Sequence, residues 1–191
     1  MTVRLRLITP DDSARVLAWR NSPQVSAYMY SDHQIGRDEH DRWFATALAA
    51  SDRRYWIIEM DAEPVGLANL ARIDPANRRC EWAYYLGEAS TRGRGLGSQI
   101  EYIVLRHVFE TLGLNKLWCE VLLDNEGVWK LHESFGFVRE ALYRQHVFKD
   151  GRFQDVVGLG MLSSDWAAAK PAIEARLRDK GNDPDALAPA P

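Results

Sequence analysis

A glycine-rich segment between an apolar strand pattern and an amphipathic helix pattern constrains this chain more than any other feature. The segment reads STRGRGLGSQ from Ser90, after the run CEWAYYLG and before IEYIVLRHVFETLG, where apolar residues recur at helical spacing. Glycine lets a backbone take left-handed angles and approach a ligand closely. The first amides of a helix have no partner within the helix, and the helix dipole favours an anion beside them. The segment therefore predicts a phosphate-binding turn.

Two widespread phosphate motifs do not fit this turn. A P-loop ends in Gly-Lys-Ser/Thr, and that ending is absent here. A dinucleotide fingerprint needs a third glycine where Ser98 stands, and it normally opens a domain rather than lying mid-chain. The pattern that fits is Arg-x-x-Gly-x-Gly, carried by Arg92, Gly95 and Gly97.

The remaining patterns alternate between strand and helix in the order β-α-α-β-β-β-α-β-α-β-β-α. The Asp150-Gly151 pair between two β runs predicts a hairpin. Residues 163–180 predict a helical extension that bends or restarts at Pro171, and 181–191 read as a disordered tail. Residues 1–162 are expected to form one α/β (α+β) domain with helices on both faces of a mixed sheet.

Composition narrows the classes of function. The 24 basic and 27 acidic residues give a net charge of -3, which argues against broad nucleic-acid binding. Cys80 and Cys119 lie in apolar runs, which predicts buried thiols rather than a zinc site or a disulfide framework. The sequence has no secretory signal pattern and no apolar run that would span a membrane, so a cytoplasmic protein without metal is expected.

A second motif lies downstream of the glycine turn. This segment is NEGVWKLHESFGF, with Asn125, Val128, Leu131, Gly136 and Phe137 at the spacing Asn-x-x-Val-x-x-Leu-x-x-x-x-Gly-Phe. With the glycine turn, it makes residues 3–162 resemble the GNAT superfamily of N-acetyltransferases. This resemblance implies the GNAT fold, with a central mixed, mostly antiparallel sheet of about seven strands and helices on both faces.

The resemblance also implies that acetyl-CoA is the co-substrate. Its pyrophosphate would bind the amides of the glycine turn, and its pantetheine arm would pair with the strand CEWAYYL like an added strand. A backbone N–H of that strand would polarise the thioester carbonyl. The residues expected to bind the coenzyme are Tyr85, Leu86, Arg92, Gly93, Arg94, Gly95, Leu96, Gly97, Ser98 and Asn125.

The family's catalytic acid is usually a tyrosine, and this chain has His132 at that position. Imidazolium is a competent proton donor to a leaving thiolate, but only roughly a quarter of an unperturbed histidine is charged at pH 7. Alternatives to His132 are water or a nearby tyrosine, such as Tyr84, Tyr85 or Tyr143. The resemblance implies direct attack by the amine without a covalent enzyme intermediate, so Cys119 is not expected to be a nucleophile.

Two carboxylates are candidates for the base that deprotonates the amine. Glu81 and Glu120 each lie within an apolar strand pattern on either side of the proposed coenzyme site. An acid there is costly unless it is solvated or paired, so each faces either the cleft, the solvent or a basic partner.

The acceptor is expected to be recognised by the N-terminal helices. Arg20, Met29, Tyr30 and His40 lie in a stretch similar to the UDP-4-amino-sugar N-acetyltransferases of pseudaminic acid biosynthesis. In that family the equivalent residues help to bind the nucleotide sugar. An arginine such as Arg20 is suited to a diphosphate, and an aromatic ring such as Tyr30 offers a face for stacking.

Other functions stay open at this point. Related sequences acetylate protein N-termini, as ribosomal-protein N-terminal acetyltransferases do. The acids in SDHQIGRDEHD also suit a polyamine acetyltransferase. The replacement of tyrosine by His132 favours a third alternative, a coenzyme A-binding regulatory protein without catalysis. A small-molecule amine is the expected partner, with neither nucleic acid nor membrane, and the family's frequent homodimers make a homodimer an open expectation.

Overall fold

Seven strands form a mixed sheet in the computed structural model, which describes residues 2–91 and 93–191. The strand order is β1-β2-β3-β4-β5-β7-β6, and every neighbouring pair is antiparallel except β4 and β5. The predicted mixed, mostly antiparallel sheet is confirmed. The strands are β1 (Val3–Leu7), β2 (Arg54–Met60), β3 (Glu63–Asp74), β4 (Arg79–Leu86), β5 (Lys116–Leu122), β6 (Val138–Lys149) and β7 (Arg152–Leu162).

Six α-helices accompany the sheet in the described residues. They are α1 (Ser13–Asn21), α2 (Pro23–Ser26), α3 (Arg37–Ala49), α4 (Leu96–Arg106), α5 (Glu126–Ser134) and α6 (Ser163–Asp179). The sequence pattern missed α2, because a single turn is too short to show periodicity. A π-helical turn, His107–Thr111, extends α4. Every helix that the structure describes is too short or too polar to cross a membrane.

The helices cover both faces of the sheet. On one face, Trp19 of α1 and Phe44 of α3 pack in a cluster that includes Ile57 of β2. On the other face, α4, α5 and α6 pack in a larger cluster that includes Trp56 and Ile58. Successive residues of β2 thus point to opposite cores, as expected for a strand buried on both sides.

The parallel strands β4 and β5 pair over a short length only. Their register couples residues 79–81 to residues 116–118, with Glu81 opposite Trp118 as the last pair. Beyond Glu81, β4 stays paired with β3 as far as Leu86. Beyond Trp118, β5 stays paired with β7 as far as Leu122. The two strands therefore separate while each keeps its outer neighbour, and a gap opens in the middle of the sheet.

The predicted β6–β7 hairpin is confirmed. Asp150 and Gly151 take φ angles of 50° and 73°, as a two-residue hairpin turn requires. Lys149, just before this turn, is buried. Its ammonium donates hydrogen bonds to the carbonyls of Ser26 at 2.8 Å and Ser31 at 3.2 Å. The hairpin end thereby anchors the segment between α2 and α3.

The sequence predicts a bend or a restart at Pro171. Helix α6 runs without interruption through this proline, so the restart is wrong. Trp166 before it and Ile173 after it are both buried in the core cluster beside α4. Burial of these side chains on both sides of Pro171 offsets the hydrogen bond that its missing N–H cannot make.

The expectation of a disordered tail is also wrong. In residues 181–191, Leu187 and Ala190 are buried in the core cluster. Trp56 Nε1 donates a hydrogen bond to the carbonyl of Pro191 at 3.2 Å, and the Arg106 guanidinium donates to the carbonyl of Leu187. The polar, proline-rich composition predicts disorder, but two apolar side chains of the tail pack against residues far away in the sequence.

Replacing Leu187 by alanine tests the packing of the tail. We expect L187A to lower the free energy of unfolding by about 2 kcal/mol or more, because truncating a buried leucine also leaves a cavity. The matched control is L142A, since Leu142 on β6 is 56% exposed and should contribute less than about 0.5 kcal/mol. Urea denaturation followed by tryptophan fluorescence measures both. Equally small losses would contradict a packed tail.

Candidate functional site

A cavity of about 580 Å³ lies where β4 and β5 separate. We call it the β4–β5 cavity. Its size suits a small-molecule ligand, and it is walled by both strands, by α5 and by the segment from α2 to α3. It is lined by Gln24, Val25, Tyr28, Met29, Tyr30, Glu81, Trp82, Ala83, Tyr84, Tyr85, Leu86, Cys119, Glu120, Val121, Leu122, Asn125, Val128 and His132.

The glycine turn leads from β4 into α4. Gly93 and Gly95 both have φ angles of +75°, a region that side chains other than glycine rarely adopt. A Cβ at either position would meet no atom of the described residues within 4 Å. Gly95 is the N-cap of α4, so the free amides of the first helical turn begin at Leu96. This arrangement fits an anion such as the pyrophosphate of coenzyme A.

Gly97 serves a different purpose from the two preceding glycines. A Cβ there would lie 2.9 Å from Leu131 Cδ2 and 3.0 Å from the Tyr84 hydroxyl oxygen. Glycine at this position therefore lets the start of α4 pack closely against α5 and β4. The turn reaches the β4–β5 cavity through this contact, because Tyr84 lines that cavity.

The other predicted coenzyme residues are divided between the cavity and the turn. Tyr85, Leu86 and Asn125 line the β4–β5 cavity, and Asn125 is also the N-cap of α5. Arg94 is exposed, whereas Ser98 is half-buried in the first turn of α4. Leu96 is buried, which leaves its backbone rather than its side chain for ligand binding. The prediction for Arg92 lies outside the described residues.

His132 lines the β4–β5 cavity from α5 and is paired with a buried acid. Its Nδ1 lies 2.9 Å from Glu101 Oε1, and the side chains are 3% and 0% exposed, respectively. The ring of Trp82 lies edge-on at 5.1 Å between centroids. The sequence analysis missed Glu101. The available signal was an acid at the centre of α4, among residues that otherwise form an apolar stripe.

Two opposing effects set the protonation of this pair. Burial disfavours the charged imidazole, but the Glu101 carboxylate, together with Cys119 beside the ring, outweighs burial and raises the pKa of His132 to about 10. Burial also raises the pKa of Glu101, against the attraction of His132. At neutral pH His132 therefore carries a proton on both ring nitrogens.

Both predicted base candidates face the β4–β5 cavity. Glu81 Oε2 lies 3.4 Å from Arg72 Nε. Burial raises the pKa of Glu81 against the attraction of Arg72, and the charge of Glu120 raises it further. Glu120 Oε2 accepts a hydrogen bond from the Tyr30 hydroxyl at 2.9 Å. A raised pKa suits Glu81 to removing a proton from an ammonium group near neutral pH.

A second cavity, of about 460 Å³, adjoins the first along β4. We call it the α1–α3 cavity. The two cavities share Met29, Tyr30, Ala83, Tyr84 and Tyr85. All four predicted acceptor residues, Arg20, Met29, Tyr30 and His40, line the α1–α3 cavity. The cavity is also lined by Ser31, His33, Ile35 and Glu39 of the stretch SDHQIGRDEHD, and by Trp43. Its lining residues Tyr55, Leu67 and Asn69 were not predicted from the sequence.

Arg20 brings an incompletely paired charge into the α1–α3 cavity. Its Nη2 donates to Ser31 Oγ at 3.3 Å, whereas its buried Nη1 has no hydrogen-bond partner among residues 2–91 and 93–191. Within the same residues, the buried Tyr85 hydroxyl also lacks a partner. Burial lowers the pKa of Arg20, against the opposing effect of Tyr85, because a desolvated guanidinium is unfavourable. An anionic ligand group would relieve that cost.

His40 has a place in the packing of the helices. It is buried, and its Nε2 lies 2.9 Å from the Ser13 carbonyl oxygen and 3.1 Å from Ser13 Oγ. Its ring also contacts Trp43 and Phe44, with centroids 5.6 and 5.4 Å away. His40 thus joins α3 to α1 and forms part of the cavity wall.

The two cysteines are buried free thiols, as predicted. Burial raises the pKa of Cys80 to about 12, so its reactive thiolate is disfavoured. In the described part of the chain, histidine, cysteine, aspartate and glutamate side chains form no group of three that could hold a metal ion.

Comparison with known proteins agrees with this geometry. A family model described as an acetyltransferase (GNAT) domain matches residues 2–138. The spermidine N(1)-acetyltransferase of Escherichia coli is 22% identical over 167 residues, which cover 87% of this chain and 89% of that protein. Acetyltransferase PseH of Campylobacter jejuni is 25% identical over 122 residues, which cover 64% of this chain and 74% of that protein.

A solved structure shows the same fold. The spermidine N-acetyltransferase of Vibrio cholerae, in complex with CoA and spermine, matches with a TM-score of 0.81 at 23% identity, covering 87% of this chain and 98% of that one. With the family match over most of its length, the chain belongs to the GNAT acetyltransferases and is an acetyl-CoA-dependent N-acetyltransferase.

Proposed function

We propose that the enzyme acetylates the primary amine of an acceptor that also carries an anionic group, and that a UDP-4-amino-4,6-dideoxy sugar is the best-fitting acceptor. The observation that carries this proposal is the buried, unpartnered Nη1 of Arg20 in the α1–α3 cavity, within the residues that the structure describes. A diphosphate matches a guanidinium in both charge and geometry. The aromatic rings of Tyr30, Trp43 and Tyr55 offer faces for a uracil or sugar ring.

A separate set of protein groups would bind the coenzyme. Gly93, Gly95 and the amide of Leu96 would hold its pyrophosphate, and the β4–β5 cavity would take the pantetheine arm. Bound acetyl-CoA supplies the activated acetyl group. Beyond Glu81, the backbone of β4 has lost β5 as a neighbour. Amides on this side of β4 are therefore free to stabilise an oxyanion.

The carboxylates of the β4–β5 cavity would bind the acceptor ammonium group and remove its proton. Glu81 and Glu120 attract an ammonium group, and Glu81, with its raised pKa, takes the proton. Tyr30 holds Glu120 through a hydrogen bond and also lines the α1–α3 cavity. A single acceptor lying across Tyr30 would thus place its amine among carboxylates and its anionic end near Arg20.

A polyamine is the second candidate acceptor. Glu39, Glu81 and Glu120 provide carboxylates in the two cavities, and two of the relatives described above are spermidine acetyltransferases. The positive charge of Arg20 disfavours a polycation in the α1–α3 cavity, because like charges brought together on binding cost affinity. The two candidates therefore predict opposite effects of removing Arg20.

Parallel assays with several acceptors test the proposed substrate class. We expect release of the free CoA thiol to be fastest with a UDP-4-amino-4,6-dideoxy sugar, compared with spermidine and an N-terminal peptide. R20L should raise the KM of the sugar about tenfold or more, since a hydrogen bond to a charged group contributes about 1.5–3 kcal/mol. The KM of acetyl-CoA should stay unchanged.

R15L is the matched control on the same helix. The Arg15 side chain is 45% exposed, and its Nη1 lies 3.8 Å from Asp12 Oδ1. Its surface ion pair should have little effect on either KM. Turnover of spermidine alone, with a KM that R20L leaves unchanged or lowers, would overturn the sugar assignment in favour of a polyamine. Turnover of the peptide alone would overturn both.

The glycine turn is tested by G95D, which sets a carboxylate against the expected pyrophosphate. We expect the affinity for acetyl-CoA, measured by calorimetry, to fall about tenfold or more through charge repulsion and lost backbone access. G113D is the matched control. Gly113 also has a positive φ, +62°, with no atom of the described residues within 4 Å of its Cβ position, and it precedes β5 at the far end of the β4–β5 pair. Undiminished binding by G95D would place the pyrophosphate elsewhere.

A further inference from the structure

An ion pair between α4 and α5 joins His132, at the family's usual tyrosine position, to Glu101, which lies outside both sequence motifs. Glu101 is fully buried, and its Oε1 lies 2.9 Å from His132 Nδ1. Its Oε2 is buried without a hydrogen-bond partner among the described residues. A lone carboxylate in such a place is costly, and the cost falls when a charged partner is held beside it. His132 is that partner, and it lines the cavity in which the thioester is expected.

We propose that Glu101 is a positioning residue for acetyl transfer, whose carboxylate fixes the His132 ring and keeps it protonated, so that His132 gives a proton to the departing thiolate. This inference rests on the proposed acetyl transfer in the β4–β5 cavity. It assigns the acid role to His132 rather than to water or a nearby tyrosine.

The hydrogen bond determines which ring nitrogen is available. Nδ1 is engaged by Glu101, so Nε2 is the nitrogen that can donate, either to Cys119 beside the ring or to a ligand. Trp82 and Phe137 pack around the ring, with centroids 5.1 and 5.3 Å from that of His132. These contacts restrict rotation of the imidazole. Glu101 and the two aromatic rings therefore fix the orientation of the donor.

The surrounding charges favour the imidazolium form. The titratable or charged groups around the His132 ring come from four elements, namely Glu101 of α4, Cys119 of β5, Tyr84 of β4 and Arg176 of α6. Burial raises the pKa of Tyr84, so this phenol stays neutral. Arg176, whose Nη1 donates to the Ser134 carbonyl at 2.7 Å, attracts the Glu101 carboxylate and favours its ionised form.

The acceptor nitrogen loses two protons during the transfer. The acceptor ammonium loses one proton to the base, and the neutral amine forms a C–N bond with the acetyl carbon. As the C–S bond breaks, His132 gives its Nε2 proton to sulfur and becomes neutral. The attacking nitrogen loses its second proton, giving an amide. One proton reprotonates His132, so the net products are the amide, the thiol and one proton released to solvent.

Glu101→Gln tests this role by removing the charge at nearly constant shape. We expect kcat at pH 8 to fall about 100-fold, within the usual contribution of a general acid, while the KM of acetyl-CoA changes little. In the wild type, kcat should hold up to about pH 9, because the pKa of His132 is about 10. In E101Q, no carboxylate offsets the effect of burial on the imidazole, so kcat should decline as the pH rises through neutrality.

Two further variants separate charge from structure. E101D retains a carboxylate and should restore part of the alkaline plateau. E174Q removes another partly buried acid that bonds to α4, since Glu174 Oε1 accepts from the Tyr102 hydroxyl at 2.8 Å. It should reduce stability without shifting the pH profile. If E101Q shows only a loss of stability with an unchanged profile, Glu101 is structural and the inference is wrong.

A titration of the imidazole in the free enzyme provides a readout that needs no turnover. We expect the ¹⁵N NMR signals of His132 to show both ring nitrogens protonated up to about pH 9 in the wild type, and a neutral ring at pH 8 in E101Q. Ordinary titration near pH 6.5 in the wild type would overturn the inference, even if acetyl transfer is observed. Acetyl-CoA binding without turnover of any acceptor would instead overturn the proposed function, whatever the charge of the ring.

Discussion

The short pairing of two parallel strands determines where this enzyme can bind a ligand. β4 and β5 separate after Glu81 and Trp118, yet β3 and β7 continue to pair with their outer edges. The inner edges are thereby held apart with backbone groups that have no strand partner across the gap. Buried amides and carbonyls require hydrogen bonds, and an extended ligand with amides of its own can supply them. The sheet thus provides a binding site through its missing pairs, while α4 adds an anion site at one end of the gap.

Charge divides the site into two parts that meet at β4. The carboxylates Glu81 and Glu120 lie in the β4–β5 cavity, whereas the guanidinium of Arg20 lies in the adjoining α1–α3 cavity. A polycation would satisfy the first part and be repelled by Arg20 in the second, where the carboxylate of Glu39 lies 3.0 Å from His33 Nε2. An acceptor with an amine at one end and a phosphate at the other would satisfy both. Lys149 supports this arrangement by holding residues 26–31, which include Tyr30, against the β6–β7 hairpin.

Features with local signals were predictable from the sequence, and features that depend on distant contacts were not. The Asp150-Gly151 turn and the positive φ angles of Gly93 and Gly95 follow from the residues themselves. The packing of the C-terminal tail does not follow from its own residues, because Leu187 is buried against a core that residues far earlier in the chain form. The pairing of Glu101 was not predicted for the same reason, because its partner His132 lies on another helix. Local composition favours disorder or solvent exposure for such residues, and only the packed structure shows their partners.

The replacement of the family's usual tyrosine by histidine explains why a fully buried acid is tolerated in α4. A tyrosine phenol is a neutral acid with a pKa of about 10, and it needs no counter-charge when buried. A histidine in the same place would lose its proton, since burial disfavours imidazolium. Glu101 reverses this effect and brings the pKa of His132 to about 10, close to that of the phenol it replaces. In the proposed reaction, two residues rather than one thus supply the acid for the leaving thiolate, and the imidazolium of His132 depends on the carboxylate of Glu101.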